Sequence, residues 1–446
     1  MLELYFETYG CHANQNSSEI MKGLVKQAGL NITQNEDFAD LIVINSCIVK
    51  EPTQEKIRRR IQELLKKDKE IILAGCMPRL NQKRFLNLEN IYLLDSSQIN
   101  NIIDLIQDIQ NQTYNSDKYL KQRKEIKSNL PKISNEKFIG INQISEGCLG
   151  ECSYCIVKFA KGKLFSYPKE KIIESIKNDL QAGAKEIWLT SQDNTSYGND
   201  DGKCLLPELL EEIINLNGKF KVRLGMMNPD NVLKILPELV ELYKSEKMFK
   251  FLHLPIQSGS NEILKSMKRK YKKEDVLKII RKFKEQIPEI TIATDIIIGF
   301  PGETDENWRE TTDLIKEIKP EILNRSNFCV REGTEAEKLI PLNPKIINQR
   351  ATKLMKLHLD ICNEIQKPFL EKEIKVFVDK KGFGTTYLAR DDSYKLVAIQ
   401  SNEKILGQFL KVKIKKVLPH YLIGELVGKR EDKNINNNFS MGEVMK

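Results

Sequence analysis

The chain has 446 residues, 40% of them hydrophobic and 30% charged, with 71 Lys and Arg against 62 Asp and Glu for a formal net charge of +9. This length predicts two to four domains, each with a core of its own, and the composition excludes wholesale disorder. No run of about 18 apolar residues occurs, which excludes a helical membrane span.

The first residues, MLELYFETYG, carry no basic stretch and no small-residue cleavage site. An export signal is therefore not expected, and the cytoplasm is the expected compartment. In that reducing environment nine cysteines read as metal ligands or packing residues rather than as a disulfide framework.

Over residues 1–110, apolar strand-like runs at 2–8, 41–45, 70–74 and 90–95 alternate with helical patterns at 16–29 and 52–67. That alternation predicts an open parallel α/β sheet. Residues 111–137 are polar and aperiodic and read as a basic linker. A longer alternation fills 138–345, with strands predicted at 138–145, 185–190, 220–225, 249–255, 291–298 and 322–329. Helices are predicted between them at 169–182, 206–215, 230–245, 261–267, 273–286 and 305–317. Six strand–helix repeats are too few for an eightfold barrel, so a partial, TIM-like (β/α)6 barrel is expected, with its reactive groups at the strand C-terminal ends. Residues 346–368 read as one connecting helix. Short alternating runs over 369–430 (IKVFVD, TYLAR, YKLVAIQ, FLKVKIKKV, YLIGELV) predict a small antiparallel, OB-like β-barrel. The Asn-rich stretch 431–446 reads as a disordered tail. The fold class is thus α/β and multidomain.

Positive charge is concentrated. Residues 365–430 hold 14 basic and 7 acidic side chains, and residues 111–137 hold 7 and 3. A polyanionic partner such as nucleic acid explains this, and so does a Lys-rich solvated surface. The run KVKIKK would present Lys411, Lys413 and Lys415 as one outward row. Such a row contacts phosphates and positions RNA without reading its sequence. The arginines at 58–60 read as a solvated helix face.

The sharpest local feature is EGCLGECSYC, in which Cys148, Cys152 and Cys155 follow the first strand of the six-unit region. A loop with three thiolates can hold three corners of a cubane cluster and leave the fourth iron free for a small molecule. Zinc usually takes four ligands, often from paired C-x2-C motifs, and no fourth partner lies nearby in sequence. Cys11, Cys47 and Cys76 each lie just past the end of a predicted parallel strand, at the edge where ligands gather in open sheets. They read either as a second three-thiolate site or as buried thiols used as small apolar side chains. Cys204, Cys329 and Cys362 share no pattern and are expected to pack.

GCLGECSYC has the spacing of the radical S-adenosylmethionine enzymes, with Tyr154 before the last cysteine. TYGCHANQNSSE, INSCIVK and LAGCMPR resemble the three-cysteine domain of the methylthiotransferases, and the C-terminal barrel resembles their RNA-binding TRAM module. SYPKEKI, IWLTSQD, RLGMMNP and FLHLPIQSGS most resemble the archaeal and eukaryotic branch, which acts on N6-threonylcarbamoyladenosine at tRNA position 37. Ser17 stands where that pattern usually has Asp, while Asn14 and Glu19 match.

The resemblance implies two 4Fe-4S clusters, one on Cys148, Cys152 and Cys155 and an auxiliary one on Cys11, Cys47 and Cys76. It also implies two S-adenosylmethionine molecules per turnover. One yields a 5′-deoxyadenosyl radical that abstracts hydrogen from C2 of the adenine; the other methylates a sulfur carried by the auxiliary cluster. The aromatic C–H is strong and not acidic, so no side-chain acid or base is assigned a catalytic role. Ser191, Gln192, Arg223 and Gln257 are the strand-end polar groups expected to hold S-adenosylmethionine. Gly299 and Gly302 of IGFPGE would let the backbone approach the adenosyl group, although a plain turn explains them equally well. His12 and His253 are not needed by this chemistry. The expected partners are a tRNA anticodon stem-loop, an electron donor and a sulfur donor, with the protein a monomer and off the membrane. Rival substrates are isopentenyladenosine tRNA and an aspartate of a ribosomal protein. A non-catalytic iron–sulfur RNA-binding or electron-transfer protein is the rival from another class.

Overall fold

In the computed structural model, residues 2–86 and 88–427 are described; the expected disordered tail lies outside the described residues. The first unit is a five-stranded parallel sheet of order β2-β1-β3-β4-β5. Its strands are β1 (Glu3–Thr8), β2 (Asn31–Ile32), β3 (Leu41–Ser46), β4 (Glu70–Gly75) and β5 (Ile91–Asp95). All six residues of β3 are buried, because helices cover both faces of a parallel sheet and leave no polar side. Helices His12–Gln27 and Ile102–Gln110 pack on one face, and Glu51–Lys66 packs on the other.

In the stretch 111–137, read as a basic linker, three of the seven basic side chains pair with acids of the units on either side. The stretch contains the helix Ser116–Leu120, and the Tyr119 ring is buried. Lys118 pairs with Asp108, and Lys132 pairs with Asp179, each at 2.7 Å. Lys127 is 1% exposed and meets Glu146 at 2.6 Å.

The central unit runs through β6 (Ile139–Gln143), the short β7 (Ser145–Glu146) and β8 (Phe165–Ser166), β9 (Glu186–Thr190), β10 (Lys221–Leu224), β11 (Phe251–Gln257), β12 (Thr291–Ile298) and β13 (Ile322–Asn327). Strands β6, β9 and β10 form one parallel sheet, and β11, β12 and β13 form another. A parallel bridge between Val222 and Met248 joins them, so six strands run in chain order around an open arc. Helices on the outside bury Ile172, Ile176, Leu209, Ile279 and Ile315 against it. The helix expected over 230–245 is interrupted: Pro229–Val232 and Leu236–Tyr243 flank a 3-10 turn. Pro237 lacks an N–H and cannot continue a helix, but it fits the first turn of a new one.

Helix Pro344–Gln366 connects to a closed five-stranded barrel of order β14-β15-β16-β18-β17. Its strands are β14 (Glu373–Lys381), β15 (Thr386–Arg390), β16 (Leu396–Gln400), β17 (Phe409–Leu418) and β18 (Tyr421–Leu426). Every pairing is antiparallel except β16 with β18, which is parallel. The expected small antiparallel barrel is present, and its one parallel pair follows from parity: five strands cannot close a ring with every neighbour reversed. No helix among the described residues is long and apolar enough to cross a membrane.

Candidate metal centres

Cys11, Cys47 and Cys76 follow β1, β3 and β4, three adjacent strands of one sheet. The register pairs Thr8 with Asn45 and Ser46 with Gly75, so the three strands end level and the three cysteines share one edge. Gly10 has φ +105°, and a Cβ there would stand 2.9 Å from the Cys47 sulfur. Only glycine therefore gives that turn both its backbone conformation and its space. Asn14 braces the edge by donating to the carbonyls of Tyr9 and Ser46, each at 2.9 Å. Its Oδ1 lies 3.9 Å from the Cys76 sulfur.

Burial pushes the Cys76 thiol up to about 12 and raises that of Cys47. Lys161 counters this at Cys76. Its ammonium is buried, pairs with Glu146 at 2.9 Å, and acts electrostatically on Cys76 and Cys11. Glu146 thus carries Lys127 on one oxygen and Lys161 on the other.

Cys148, Cys152 and Cys155 lie in the loop framed by β7 and β8, which pair antiparallel. The Gly150 N–H donates to the Cys148 sulfur at 3.1 Å, and Arg269 Nη1 donates to the Cys152 sulfur at 3.2 Å. Burial pushes the Cys148 thiol up to about 12 and raises that of Cys155. A cavity of about 260 Å³ opens beside Cys152, lined by Gly150, Asp193, Asn228 and Arg269 among others. Donors aimed at sulfur, and raised thiols that need a cation to ionise, fit iron–sulfur ligation.

A single tetrahedral zinc would need sulfurs about 3.8 Å apart. Among the described residues, the one group of three or more His, Cys, Asp or Glu with all ligating atoms within 4.8 Å is His358, Cys362 and His420. In neither cysteine trio do all three sulfurs fall within 4.8 Å of one another.

Six residues are expected to contact S-adenosylmethionine: Ser191, Gln192, Arg223, Gln257, Gly299 and Gly302. None lines the cavity beside Cys152. Ser191 is buried with its hydroxyl unpartnered. Gln192 accepts from the Gly147 N–H at 2.7 Å and so props the Cys148 loop. Gln257 ends β11 at φ +72°. Gly299 (φ +75°) makes room for the long connecting helix: a Cβ there would meet Ile347 at 2.5 Å. Gly302 (φ +85°) meets nothing within 4 Å and serves as a turn.

Arg223 points into the barrel. Its guanidinium carbon lies 5.1, 4.8 and 5.1 Å from the ring centres of Trp188, Phe251 and Tyr394, and its Nε is buried without a partner. The His12 ring stands edge-on to Trp188 at 4.7 Å, and His253 meets Asp295 at 2.6 Å.

Sequence reasoning missed Lys161, Glu146, Arg269, Asp193 and Tyr394. Asp193 braces the site by accepting from Thr195, Ser196, Asn228 and Asn231. An Asp three residues past the end of β9 was a usable signal. Glu146 opens the EGCLGECSYC motif itself, two residues before Cys148, whereas Lys161, Arg269 and Tyr394 reach their partners only through the tertiary fold. The arginines at 58–60 divide: Arg59 is solvated, whereas Arg60 is half-buried between Glu7 and Glu36.

Three family models match the chain: the Radical SAM superfamily over 142–315, Uncharacterized protein family UPF0004 over 3–94, and the TRAM domain over 370–427. A probable threonylcarbamoyladenosine tRNA methylthiotransferase of Archaeoglobus fulgidus is 39% identical over 433 residues, 96% of this chain and 100% of that protein. The human threonylcarbamoyladenosine tRNA methylthiotransferase is 33% identical over 453 residues, 99% of this chain and 77% of that protein. Among solved structures, the radical S-adenosylmethionine methyltransferase TsrM from Kitasatospora setae superposes with a TM-score of 0.55. It has 14% identity and covers 75% of this chain and 76% of that one, a likeness of fold.

Proposed function

The chain belongs to the threonylcarbamoyladenosine tRNA methylthiotransferase family, and on that premise we propose that it adds a methylthio group to C2 of N6-threonylcarbamoyladenosine at tRNA position 37. Cys148, Cys152 and Cys155 would hold the cluster that binds S-adenosylmethionine, and Cys11, Cys47 and Cys76 would hold the auxiliary one. When bound, these groups supply one-electron reduction of a sulfonium and a carrier for sulfur, chemistry that no side chain offers.

The chain's own residues orient and insulate. Gly150 and Arg269 donate to ligand sulfurs, and Lys161 sets a positive charge beside Cys76 and Cys11. Trp188, partly exposed inside the barrel beside the buried rings of Phe251 and Tyr394, offers the flat apolar surface on which a purine would stack. Arg223 sits among them with a free N–H, suited to the carboxylate of a threonylcarbamoyl group. That pairing favours this substrate over an uncharged isopentenyl group.

The reading further takes two S-adenosylmethionine molecules per turnover, an electron donor, a sulfur donor and the anticodon stem-loop as the RNA element. It takes a monomer acting in the cytoplasm, with the sheet, partial barrel and small barrel as its three domains. The observation that carries it is the level edge of three adjacent strands, each ending in a cysteine, together with the three-thiol loop after β6.

Two experiments test it. Nucleoside mass spectrometry of tRNA from a deletion strain should show loss of the 2-methylthio form of threonylcarbamoyladenosine; loss of only the isopentenyl form overturns the substrate. In anaerobically reconstituted protein, Cys47→Ala and Cys148→Ala should each remove about half the iron. If either removes all or none, the two-site assignment fails.

A further inference from the structure

The long connecting helix carries a second set of metal-ligating side chains, far in sequence from both cysteine trios. His358 and Cys362 are four residues apart on Pro344–Gln366, so both face the same side one turn apart. His420 comes from the turn joining β17 to β18 and reaches in from the surface end. His358 Nε2 lies 3.3 Å from the Cys362 sulfur, and the two imidazoles stack at 5.8 Å and 29°. All three ligating atoms fall within 4.8 Å of one another.

We propose that His358, Cys362 and His420 form a zinc site that ties the connecting helix to the β17–β18 hairpin of the C-terminal barrel. Two imidazoles and one thiolate are a ligand set zinc takes readily, with water in the fourth position. In tetrahedral zinc, bonds of about 2.0–2.3 Å put the ligand atoms about 3.3–3.8 Å apart. The His358–Cys362 pair already stands at that spacing. Closure then needs only rotation of His420 on its surface turn.

Without metal, His358 Nε2 also lies 3.2 Å from the Pro320 carbonyl, and the Cys362 sulfur lies 3.6 Å from the Glu321 carbonyl. On binding, His358 carries its proton on Nδ1 instead of Nε2, and the Cys362 thiol releases one proton to solvent. One thiolate leaves the site with a charge of +1; the Glu321 carboxylate and the Lys395 ammonium, paired with each other at 3.5 Å, both act electrostatically on Cys362. The helix packs on the central barrel and the hairpin belongs to the small barrel. One ion would therefore fix the angle between the two units.

The test uses the full chain with its clusters reconstituted, incubated with equimolar zinc sulfate and then freed of loose metal by a chelating resin. Zinc and iron are measured together by elemental analysis. About one zinc per chain is expected, falling at least tenfold in His420→Ala and in Cys362→Ser with iron unchanged. Zinc bound to cluster cysteines instead would not respond to either change. Equal zinc in the parent and in His420→Ala overturns the proposal, as does a parent that retains none. His420→Ala alters a surface turn, so it decides the matter even if Cys362→Ser fails to fold. Added zinc should also raise the melting temperature of the parent and leave that of His420→Ala unmoved.

Discussion

At the residue scale, the auxiliary edge depends on a charge the motifs do not contain. Lys161 reaches Glu146, Cys76 and Cys11 from the far side of the second cysteine loop. Lys161→Met removes that cation and leaves Glu146 with Lys127 alone. Breaking a buried pair typically costs about 3 kcal/mol or more. The variant should lose up to half its iron under chelator challenge, and Lys161→Arg should restore it; unchanged iron in Lys161→Met would sink the idea. Glu19 gives a pH-dependent case. Burial raises its carboxyl to about 7, one oxygen lacks a partner, and the other accepts from the Asn135 N–H at 3.0 Å. The folded state therefore holds this proton more tightly than the unfolded chain does. The contribution is fully present below about pH 4.5 and is lost as pH rises through about 7. Glu19→Gln should thus stabilise the fold at pH 8 by up to about 3 kcal/mol, read as a raised melting temperature, and change it little at pH 4.5. Parallel thermal melts at the two pH values check this, and equal shifts at both would refute it.

At the element scale, β17 shows how a pattern can be right about geometry and incomplete about charge. Lys411 and Lys413 share a side as alternate strand residues, while Lys415 sits where the register shifts between Ile414 and Lys416 and still reaches the acid that Lys413 meets. The neighbouring chain supplies acids the pattern could not place. Lys411 meets Glu373 at 2.5 Å, and Glu371 takes Lys413 at 2.8 Å and Lys415 at 3.8 Å. The row is therefore not a bare cationic stripe. Exposed pairs of this kind contribute about 0–1 kcal/mol, so a phosphate can displace the carboxylates. Glu371→Gln with Glu373→Gln should tighten tRNA binding and steepen its salt dependence. Reversing the three lysines should weaken binding and flatten that slope. Filter binding across a salt titration reads both, and identical slopes for all three proteins would exclude this strand from the RNA surface.

At the scale of the whole molecule, Tyr394 links units that the sequence presents as separate. It leaves the small barrel between β15 and β16 and packs on Phe249, Phe251, Trp188 and the Arg223 guanidinium of the central barrel. Tyr394→Ala should cost about 3–5 kcal/mol and split calorimetric unfolding into two transitions, whereas Tyr394→Phe keeps the ring and should stay within about 1 kcal/mol. One unsplit transition in the alanine variant would show that the barrels are coupled elsewhere.

The sequence by itself determined the main strand and helix pattern, three cysteines just past strand ends and three more in one loop, because strand and helix periods and short motifs are local properties of the chain. It did not determine which acids Lys118, Lys127 and Lys132 meet, that Gly299 accommodates Ile347, or that Cys362 stands beside two histidines. Those depend on which residues the fold brings together from positions tens to hundreds of residues apart. Charge pairing, close packing and ligand clustering act through space at a few ångströms, and only the tertiary structure decides which groups come within that reach.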